Sequence, residues 1–261
     1  MADSNSLTLT VLGSAGAYRT HDGSRASGYL VQHDATTLVL DLGHGTYAPL
    51  AAQIGINALP QISAVAISHL HPDHWVDLAA LRHALVHGNK MGSDPRSVAV
   101  ISPSGLAPRL ATLLDDRTPE DQAAGAHDSL QPFAFSTWRS DAALPPLGGG
   151  RIVPVGDLSL QSARVRHTGE SYAMRVALRD QPGLIYSGDV SHWEDLAAIV
   201  RTGDTLLCEA AGGAAQWREG DTHITAYGAG KAAASAGAAK LLLTHFGAEV
   251  DPAEAVRAAA T

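Results

Sequence analysis

The sequence predicts an α/β fold, because short apolar runs alternate with segments of helical spacing along the chain. The apolar runs are rich in Val, Leu, Ile and Thr and are bounded by Gly, Ser or Asp, which is typical of strands. Segments with apolar residues three or four positions apart, such as Leu78, Leu81 and Leu85, are typical of amphipathic helices. A hydrophobic content of 45% over 261 residues is ample for a substantial core. We therefore expect one domain spanning residues 1–261.

The first half of the chain contains four predicted strands and the starts of three helices. The strands are Leu7 to Leu12, Gly28 to His33, Thr37 to Leu42 and Ala64 to Ser68. Helical spacing begins near Thr46, Val76 and Pro103, and Gly88 is a typical end for the second helix.

The second half repeats this alternation of strands and helices. Its predicted strands are Leu158 to Arg166, Tyr172 to Leu178, Leu184 to Tyr186, Thr205 to Cys208 and Lys240 to Thr244. Helical spacing begins near Trp193, Thr225 and Pro252, and Asp251 with Pro252 forms a favourable N-cap and first helical position.

A segment of roughly residues 104–150 separates the two halves and lacks a clear period. It carries several prolines and the run Gly148-Gly149-Gly150. Long irregular segments inside compact domains are commonly functional lids or insertions. We therefore expect an inserted lobe or a lid in this interval.

Charge and cysteine content disfavour several classes of protein. With 26 acidic residues against 18 basic ones, the formal charge is -8, which repels polyanions and makes a nucleic-acid polymer an unexpected partner. Cys208 is the only cysteine, so neither an internal disulfide nor a thiolate metal site is available. The amino terminus lacks the pattern of a signal peptide, and no apolar run reaches the length of a membrane span. A soluble cytoplasmic protein without a membrane partner is expected.

The motif His69-Leu70-His71-Pro72-Asp73-His74 is the most informative feature of the chain. It directly follows the predicted strand Ala64 to Ser68, and ligands gather at the carboxyl ends of strands in α/β sheets. Three imidazoles and one carboxylate within six residues exceed what a single tetrahedral ion usually takes from one loop. Two metal ions bound by nitrogen and oxygen are therefore predicted, in preference to a chance histidine cluster on a solvated loop.

The pattern His-x-His-x-Asp-His is the signature of the metallo-β-lactamase superfamily, which this chain resembles over nearly its whole length. The resemblance implies a four-layer αββα sandwich and two divalent ions, with zinc favoured and manganese or iron compatible with the same ligand types. In that superfamily further ligands follow distant strands, and matching residues occur here in the same order. The resemblance thus implies that His69, His71 and His167 hold one ion, that Asp73, His74 and His245 hold the other, and that Asp189 bridges them.

Within the superfamily, the pattern is similar to the branch of ribonuclease Z and small bacterial cyclic-nucleotide phosphodiesterases. In ribonuclease Z relatives, a Glu after the bridging Asp and a His before the last ligand form a proton-donating pair. Glu209 and His223 match that pair. The resemblance therefore implies that Glu209 and His223 are catalytic. In a mechanism consistent with these residues, Asp73 would orient the attacking hydroxide.

A small phosphodiester is the favoured substrate. Ribonuclease Z grips tRNA with a long arm between the positions of His167 and Asp189, where this chain has room only for a short hairpin. The segment His167-Thr-Gly-Glu-Ser resembles a His-x-x-Glu-Ser segment of actinobacterial phosphodiesterases, which favours a cyclic nucleotide. The alternatives are an acyl hydrolase acting on a lactam, lactone or thioester, a tRNA 3′-processing endonuclease, and a scaffold without catalysis.

Four further residues are predicted to contact the substrate. The turn around Ser14 could present backbone N–H groups to an anion, although such turns are common. Thr168 and Ser171 could hydrogen-bond phosphate oxygens, although hydroxyls in turns more often satisfy their own backbone. Trp193 could stack on a base, although aromatic residues usually pack in the core.

An apolar helical face is compatible with a homodimer.

Overall fold

The computed structural model describes residues 6–17, 19, 23–88, 97–118, 130–140 and 143–261. The first half of the chain forms one sheet of six strands, arranged in the order in which they occur in the sequence. The first three strands pair antiparallel, and each later strand is parallel to its predecessor. These strands are β1 (Thr8–Gly13), β2 (Gly28–His33), β3 (Thr36–Leu42), β4 (Ala64–Ala66), β5 (Val98–Ser102) and β6 (Phe133–Thr137).

The second half builds a second six-stranded sheet, again in sequential order. Its first four strands pair antiparallel, and the last two are added in parallel. The carboxyl ends of the parallel strands therefore lie at one edge of this sheet. These strands are β7 (Ile152–Val155), β8 (Leu158–Val165), β9 (Ser171–Ala177), β10 (Leu184–Tyr186), β11 (Thr205–Glu209) and β12 (Lys240–Thr244).

Five α-helices occur in the described residues: α1 (Tyr47–Ile54), α2 (Leu78–His83), α3 (Leu106–Leu114), α4 (Ala226–Ala236) and α5 (Pro252–Ala259). Helix α4 begins where the Thr225 side chain accepts a hydrogen bond from the Gly228 N–H, and it ends at Gly237 in the left-handed conformation. Asp251 caps α5 in the same way, and Pro252 occupies its first position, which confirms the predicted start of this helix.

Side chains alternate between the two faces of each strand, so each sheet packs against the other sheet on one face and against helices on the other. In β3, Leu38 and Leu40 pack between the sheets with Leu160 of the second sheet, whereas Val39 points to the opposite face. That opposite face is covered by α1, α2 and α3, and the outer face of the second sheet is covered by α4. The order helices, sheet, sheet, helices confirms the predicted αββα sandwich.

Several predicted elements differ from those observed. Strands β5, β6 and β7 were not predicted; β7 contains Pro154, which is tolerated there because β7 is an edge strand. The predicted helix near Trp193 is a 3-10 helix, Trp193–Ala198. The helix predicted from near Val76 begins at Leu78 and continues beyond His83 as one π-helical turn to Gly88.

The interval 104–150, predicted to be an inserted lobe or lid, contains helix α3 and strand β6. β6 is the edge strand of the first sheet, so this part of the interval belongs to the sandwich. Residues 119–129 and 141–142 lie outside the described residues, and the lid remains a prediction. Among the described residues, no helix is long and apolar enough to cross a membrane.

A buried ion pair ties three strands of the second sheet together. The guanidinium of Arg175 in β9 donates two hydrogen bonds of 2.9 Å to the carboxylate of Asp204, which precedes β11. The N–H groups of Gly183 and Arg201 donate to the same carboxylate. Burial alone would raise the pKa of Asp204, but these hydrogen bonds outweigh burial and hold the pKa below its usual range.

We expect Asp204→Asn to lower the free energy of unfolding by roughly 3 kcal/mol at pH 7, because the substitution leaves the buried Arg175 charge unpaired. Since the folded-state pKa of Asp204 is depressed, its contribution is present above about pH 4 and is lost as pH falls through the folded pKa. Urea unfolding at a series of pH values measures this difference. The exposed Asp180→Asn is the matched control, and equal stability of both variants at pH 7 would contradict the assignment.

Candidate metal centre

The histidine motif forms a compact loop at the carboxyl end of β4. His69 leaves the strand fully buried, and His71 is extended, with a φ of -69° and a ψ of 136°. Pro72–His74 then form one 3-10 turn, in which Pro72 occupies the first position. Asp73 and His74 are both buried. The loop thus directs four potential ligands toward the second sheet.

The first group of donor atoms joins this loop to the residue after β8. His71 Nδ1 lies 3.0 Å from His69 Nε2 and 3.2 Å from His167 Nε2. The Oδ2 atom of Asp189 lies 3.5 Å from His69 Nε2 and 3.6 Å from His167 Nε2. A tetrahedron with metal–nitrogen bonds of about 2.1 Å has edges of about 3.4 Å. The separations of 3.0–3.6 Å therefore match the edges of one coordination shell.

A second group shares the same carboxylate oxygen. Asp189 Oδ2 lies 3.4 Å from the Nε2 atoms of both His74 and His245. Asp73 Oδ2 lies 3.5 Å from His74 Nε2. Asp189 Oδ2 is thus common to the two groups of potential ligands. The structure brings together all seven residues that the sequence suggested as ligands.

The chemistry of these atoms fits bound cations. His74 Nε2 and Asp189 Oδ1 are buried and have no hydrogen-bond partner, although such groups are costly to leave unsatisfied. Burial lowers the pKa of His245 to about 4, and it also holds the pKa of His69 well below its usual range. These imidazoles are therefore neutral at pH 7, which is the form that binds metal.

The other ring nitrogen of most of these histidines is held by a neighbour. His74 Nδ1 lies 2.7 Å from Asp41 Oδ2, and His245 Nδ1 lies 2.9 Å from Ser27 Oγ. His167 Nδ1 lies 2.7 Å from the carbonyl oxygen of Thr222. Such partners fix the ring orientation and leave Nε2 available to bind a metal ion.

Asp41 is a positioning residue that was not predicted as a site residue. It sits at a bulge where β3 leaves register with β2, and its φ is 53°. Its carboxylate is fully buried and accepts hydrogen bonds from the Ser68 N–H and hydroxyl and from the Tyr186 hydroxyl, in addition to its contact with His74. An Asp inside the apolar run Leu38-Val-Leu-Asp-Leu was the signal in the sequence.

The main chain around the ligands is also constrained. Gly188, directly before Asp189, has a φ of 55°, and a Cβ there would lie 2.8 Å from the Tyr172 carbonyl oxygen. His245 adopts a φ of 51°, which is unfavourable for a side chain of this size. Strained residues of this kind cluster at functional sites.

Glu209 and His223 form a pair beside the ligands. His223 Nδ1 lies 3.0 Å and 3.1 Å from the two carboxylate oxygens of Glu209 at the end of β11. Burial raises the pKa of Glu209 to about 7, although the hydrogen bond from His223 opposes this rise. Burial acts to lower the pKa of His223, but the hydrogen bond and charge of Glu209 raise it to about 9. The His223 ring stacks on His245 at 5.5 Å and remains partly exposed.

The four predicted substrate contacts lie in different surroundings. The Ser14 carbonyl accepts a hydrogen bond from Phe246, so its turn lies beside the ligand His245. The Thr168 and Ser171 hydroxyls bond to each other at 2.7 Å, and Ser171 also accepts from the Thr168 N–H. These hydroxyls therefore serve the turn after His167. Trp193 packs near Gly228 of α4 and lines a neighbouring cavity.

Five imidazoles and two carboxylates gathered where two stacked sheets meet are the arrangement of a metal-dependent hydrolase. Residues 36–246 match the β-lactamase superfamily domain, and the chain belongs to that family. Divalent metal ions are the cofactors that this fold and these side chains imply.

Known proteins resemble the chain along most of its length. An uncharacterized protein of Mycobacterium tuberculosis is 33% identical over 243 residues, which are 92% of this chain and 81% of that protein. The crystal structure of the metallo-β-lactamase fold protein YhfI from Bacillus subtilis has a TM-score of 0.79 at 21% identity, covering 97% of this chain and 92% of YhfI. The short form of human tRNase Z has a TM-score of 0.68 at 20% identity, with 92% of each chain covered. The mitochondrial ribonuclease Z 2 of Schizosaccharomyces pombe is 29% identical over 244 residues, which are 92% of this chain and 34% of that protein, and the resemblance to ribonuclease Z is confirmed.

We expect Asp41→Asn to weaken metal affinity by about 10- to 100-fold, because the amide no longer holds His74 with a charged acceptor. Competition with a chelator measures the affinity, and circular dichroism of the metal-free protein separates this effect from unfolding. The exposed His44→Asn in the same segment is the control and should keep the native affinity. Native affinity in Asp41→Asn would show that Asp41 is not needed to position His74.

Proposed function

We propose that this protein is a phosphodiesterase with two metal ions, most suitably zinc, that cleaves a small phosphodiester such as a cyclic nucleotide. The observation that carries the proposal is the Glu209–His223 pair beside the two groups of potential ligands. Cleavage of a phosphodiester releases an alkoxide that needs a proton, and a carboxylate-held imidazole is suited to donate it. Hydrolysis of an activated lactam or lactone depends less on such a donor.

His69, His71 and His167 would hold one ion, and Asp73, His74 and His245 the other, with Asp189 between them. When bound, a pair of divalent ions supplies Lewis acidity that activates water and stabilises negative charge on phosphate oxygens. In this proposal, Asp73 also accepts a hydrogen bond from the attacking water and orients it toward phosphorus.

His223 acts as the proton donor in this mechanism. Its Nδ1–H donates to Glu209, which leaves Nε2 as the atom that delivers a proton to the departing oxygen. Glu209 is fixed in turn by hydrogen bonds from the N–H groups of Val190 and Ala211. The Glu209 charge also favours the protonated imidazole, which is the form that a proton donor requires.

The interval between His167 and Asp189 supports a small substrate. It is described throughout and consists of β9 and β10 joined by residues 178–183. A long arm of the kind expected for gripping tRNA does not occur within these described residues. The formal charge of -8 further disfavours a nucleic-acid polymer.

A parallel assay of bis-p-nitrophenyl phosphate, cyclic AMP, nitrocefin and a lactone, with added zinc or manganese, tests the proposed activity. We expect hydrolysis of the phosphodiesters and about two bound metal ions per chain by elemental analysis. His69→Ala should abolish activity because it removes a nitrogen donor from the first group of potential ligands. Activity confined to nitrocefin or lactones would replace the proposal with an acyl hydrolase.

The proton-donor role predicts a dependence on the leaving group. We expect His223→Ala to lower kcat for cyclic AMP by about 100- to 10,000-fold, because its ribose alkoxide needs protonation. The loss should be much smaller for bis-p-nitrophenyl phosphate, since nitrophenolate departs without a proton. Glu209→Gln should also lower kcat more for cyclic AMP than for bis-p-nitrophenyl phosphate, by a smaller factor than His223→Ala. Equal losses on both substrates, with metal content unchanged, would remove His223 from this role.

A further inference from the structure

Three aromatic side chains, Trp193, Trp217 and Tyr227, line a recess that adjoins the cleft of His223 and that we call the aromatic recess. Lys231 also lines the recess, whose volume is about 660 Å³. Trp217 is 40% exposed and Tyr227 is 44% exposed, so much of their apolar surface faces solvent. The Lys231 ammonium lies 4.7 Å from the centre of the Tyr227 ring.

Short stretches of chain connect the aromatic recess to the catalytic residues. Ser191 lines the recess two residues after Asp189, and its carbonyl accepts a hydrogen bond of 3.0 Å from the Trp217 indole. Thr225, another lining residue, follows His223 by two positions. Gln216 lines both this recess and the adjoining cleft that contains His223. The recess and the cleft of His223 therefore share part of one wall.

We propose that the aromatic recess binds the base of a nucleoside phosphodiester and so sets the substrate preference of the enzyme. This inference rests on the proposed function, because it places the phosphate of the same molecule at the metal centre. Indole and phenol rings offer flat surfaces on which any base can stack. The recess also lies within the size range of pockets for small ligands.

The polar groups around the recess suit a base better than a purely apolar ligand. The Gln216 amide can both donate to and accept from the edge of a base, and the Glu194 carboxylate can accept from an exocyclic amino group. Lys231 supplies positive charge beside the rings. A fatty chain would leave these groups without partners, whereas a base offers donors and acceptors along its edge.

Calorimetry with the full-length, metal-reconstituted protein tests the recess without requiring turnover. The probes are adenosine 5′-monophosphate and ribose 5-phosphate, which share the phosphate and the sugar and differ in the base. We expect the nucleotide to bind at least about ten times more tightly than ribose 5-phosphate. Trp217→Ala and Tyr227→Ala should each weaken nucleotide binding by about tenfold, and Tyr227→Ala, which leaves the hydrogen bond from Trp217 to Ser191 in place, should not change ribose 5-phosphate binding.

Leu113→Ala, which removes an exposed apolar side chain on α3, is the matched control and should change neither affinity. Melting temperatures of all variants report whether they fold. Equal binding of the two probes, or unchanged nucleotide binding in both aromatic variants, would overturn the proposed base site. Hydrolysis of bis-p-nitrophenyl phosphate is measured separately, so a failed base site with intact hydrolysis is distinguishable from a failed phosphodiesterase. Selective nucleotide binding without hydrolysis would keep the recess and reject the activity.

Discussion

The buried carboxylate of Asp189 is the group on which the rest of the structure depends. Its Oδ2 atom lies within 3.4–3.6 Å of four imidazole nitrogens, and the residue is only 2% exposed. An isolated negative charge in such surroundings costs several kcal/mol. Burial holds the pKa values of His69, His167 and His245 below their usual range, so these imidazoles are neutral and do not compensate the charge. At His74 the charges of Asp189 and Asp41 outweigh burial and raise the pKa. Bound cations do compensate the charge of Asp189, provided that both sheets bring their ligands to the same point. The stacking of the two sheets and the assembly of the metal centre therefore depend on each other.

The geometry of the metal centre accounts for two of the four positive φ angles that non-glycine residues adopt in the described part of the chain, whereas Asp34 and Arg179 lie in turns elsewhere. Asp41 and His245 both have positive φ angles, and Gly188 adopts one immediately before Asp189. A positive φ costs a side-chain-bearing residue about 1–2 kcal/mol. Asp41 and His245 each turn a side chain toward the metal centre, and Gly188 turns the chain directly before Asp189. The conformational cost is therefore found at residues whose geometry the metal centre requires. The apolar layer between the sheets supplies the compensating stability.

The sequence predicted the layered fold correctly because the fold leaves local signals, and the residues that it suggested as metal ligands lie together in the structure. The motif from His69 to His74 is contiguous, and His167, Asp189 and His245 each follow a recognisable apolar run. Asp41 was missed as a site residue because its role depends on a hydrogen bond to His74, 33 positions away. Strands β5 and β6 were missed because proline-rich and irregular sequence surrounds them. The grouping of Trp193 with Trp217 and Tyr227 was not visible either, since only the packing of α4 brings them together.

The segment between β11 and α4, residues 210–225, contacts several residues of the proposed mechanism. Its His223 lies against Glu209, and its Thr222 carbonyl holds the ring of His167. Its Trp217 indole donates to the Ser191 carbonyl, two residues after Asp189. If a base occupies the aromatic recess, its contacts on Trp217 act on the same segment that positions the proton donor. All seven potential metal ligands lie outside this segment, after strands of the two sheets. Discrimination among phosphodiesters would therefore reside in the segment, while the sandwich itself holds the metal centre constant.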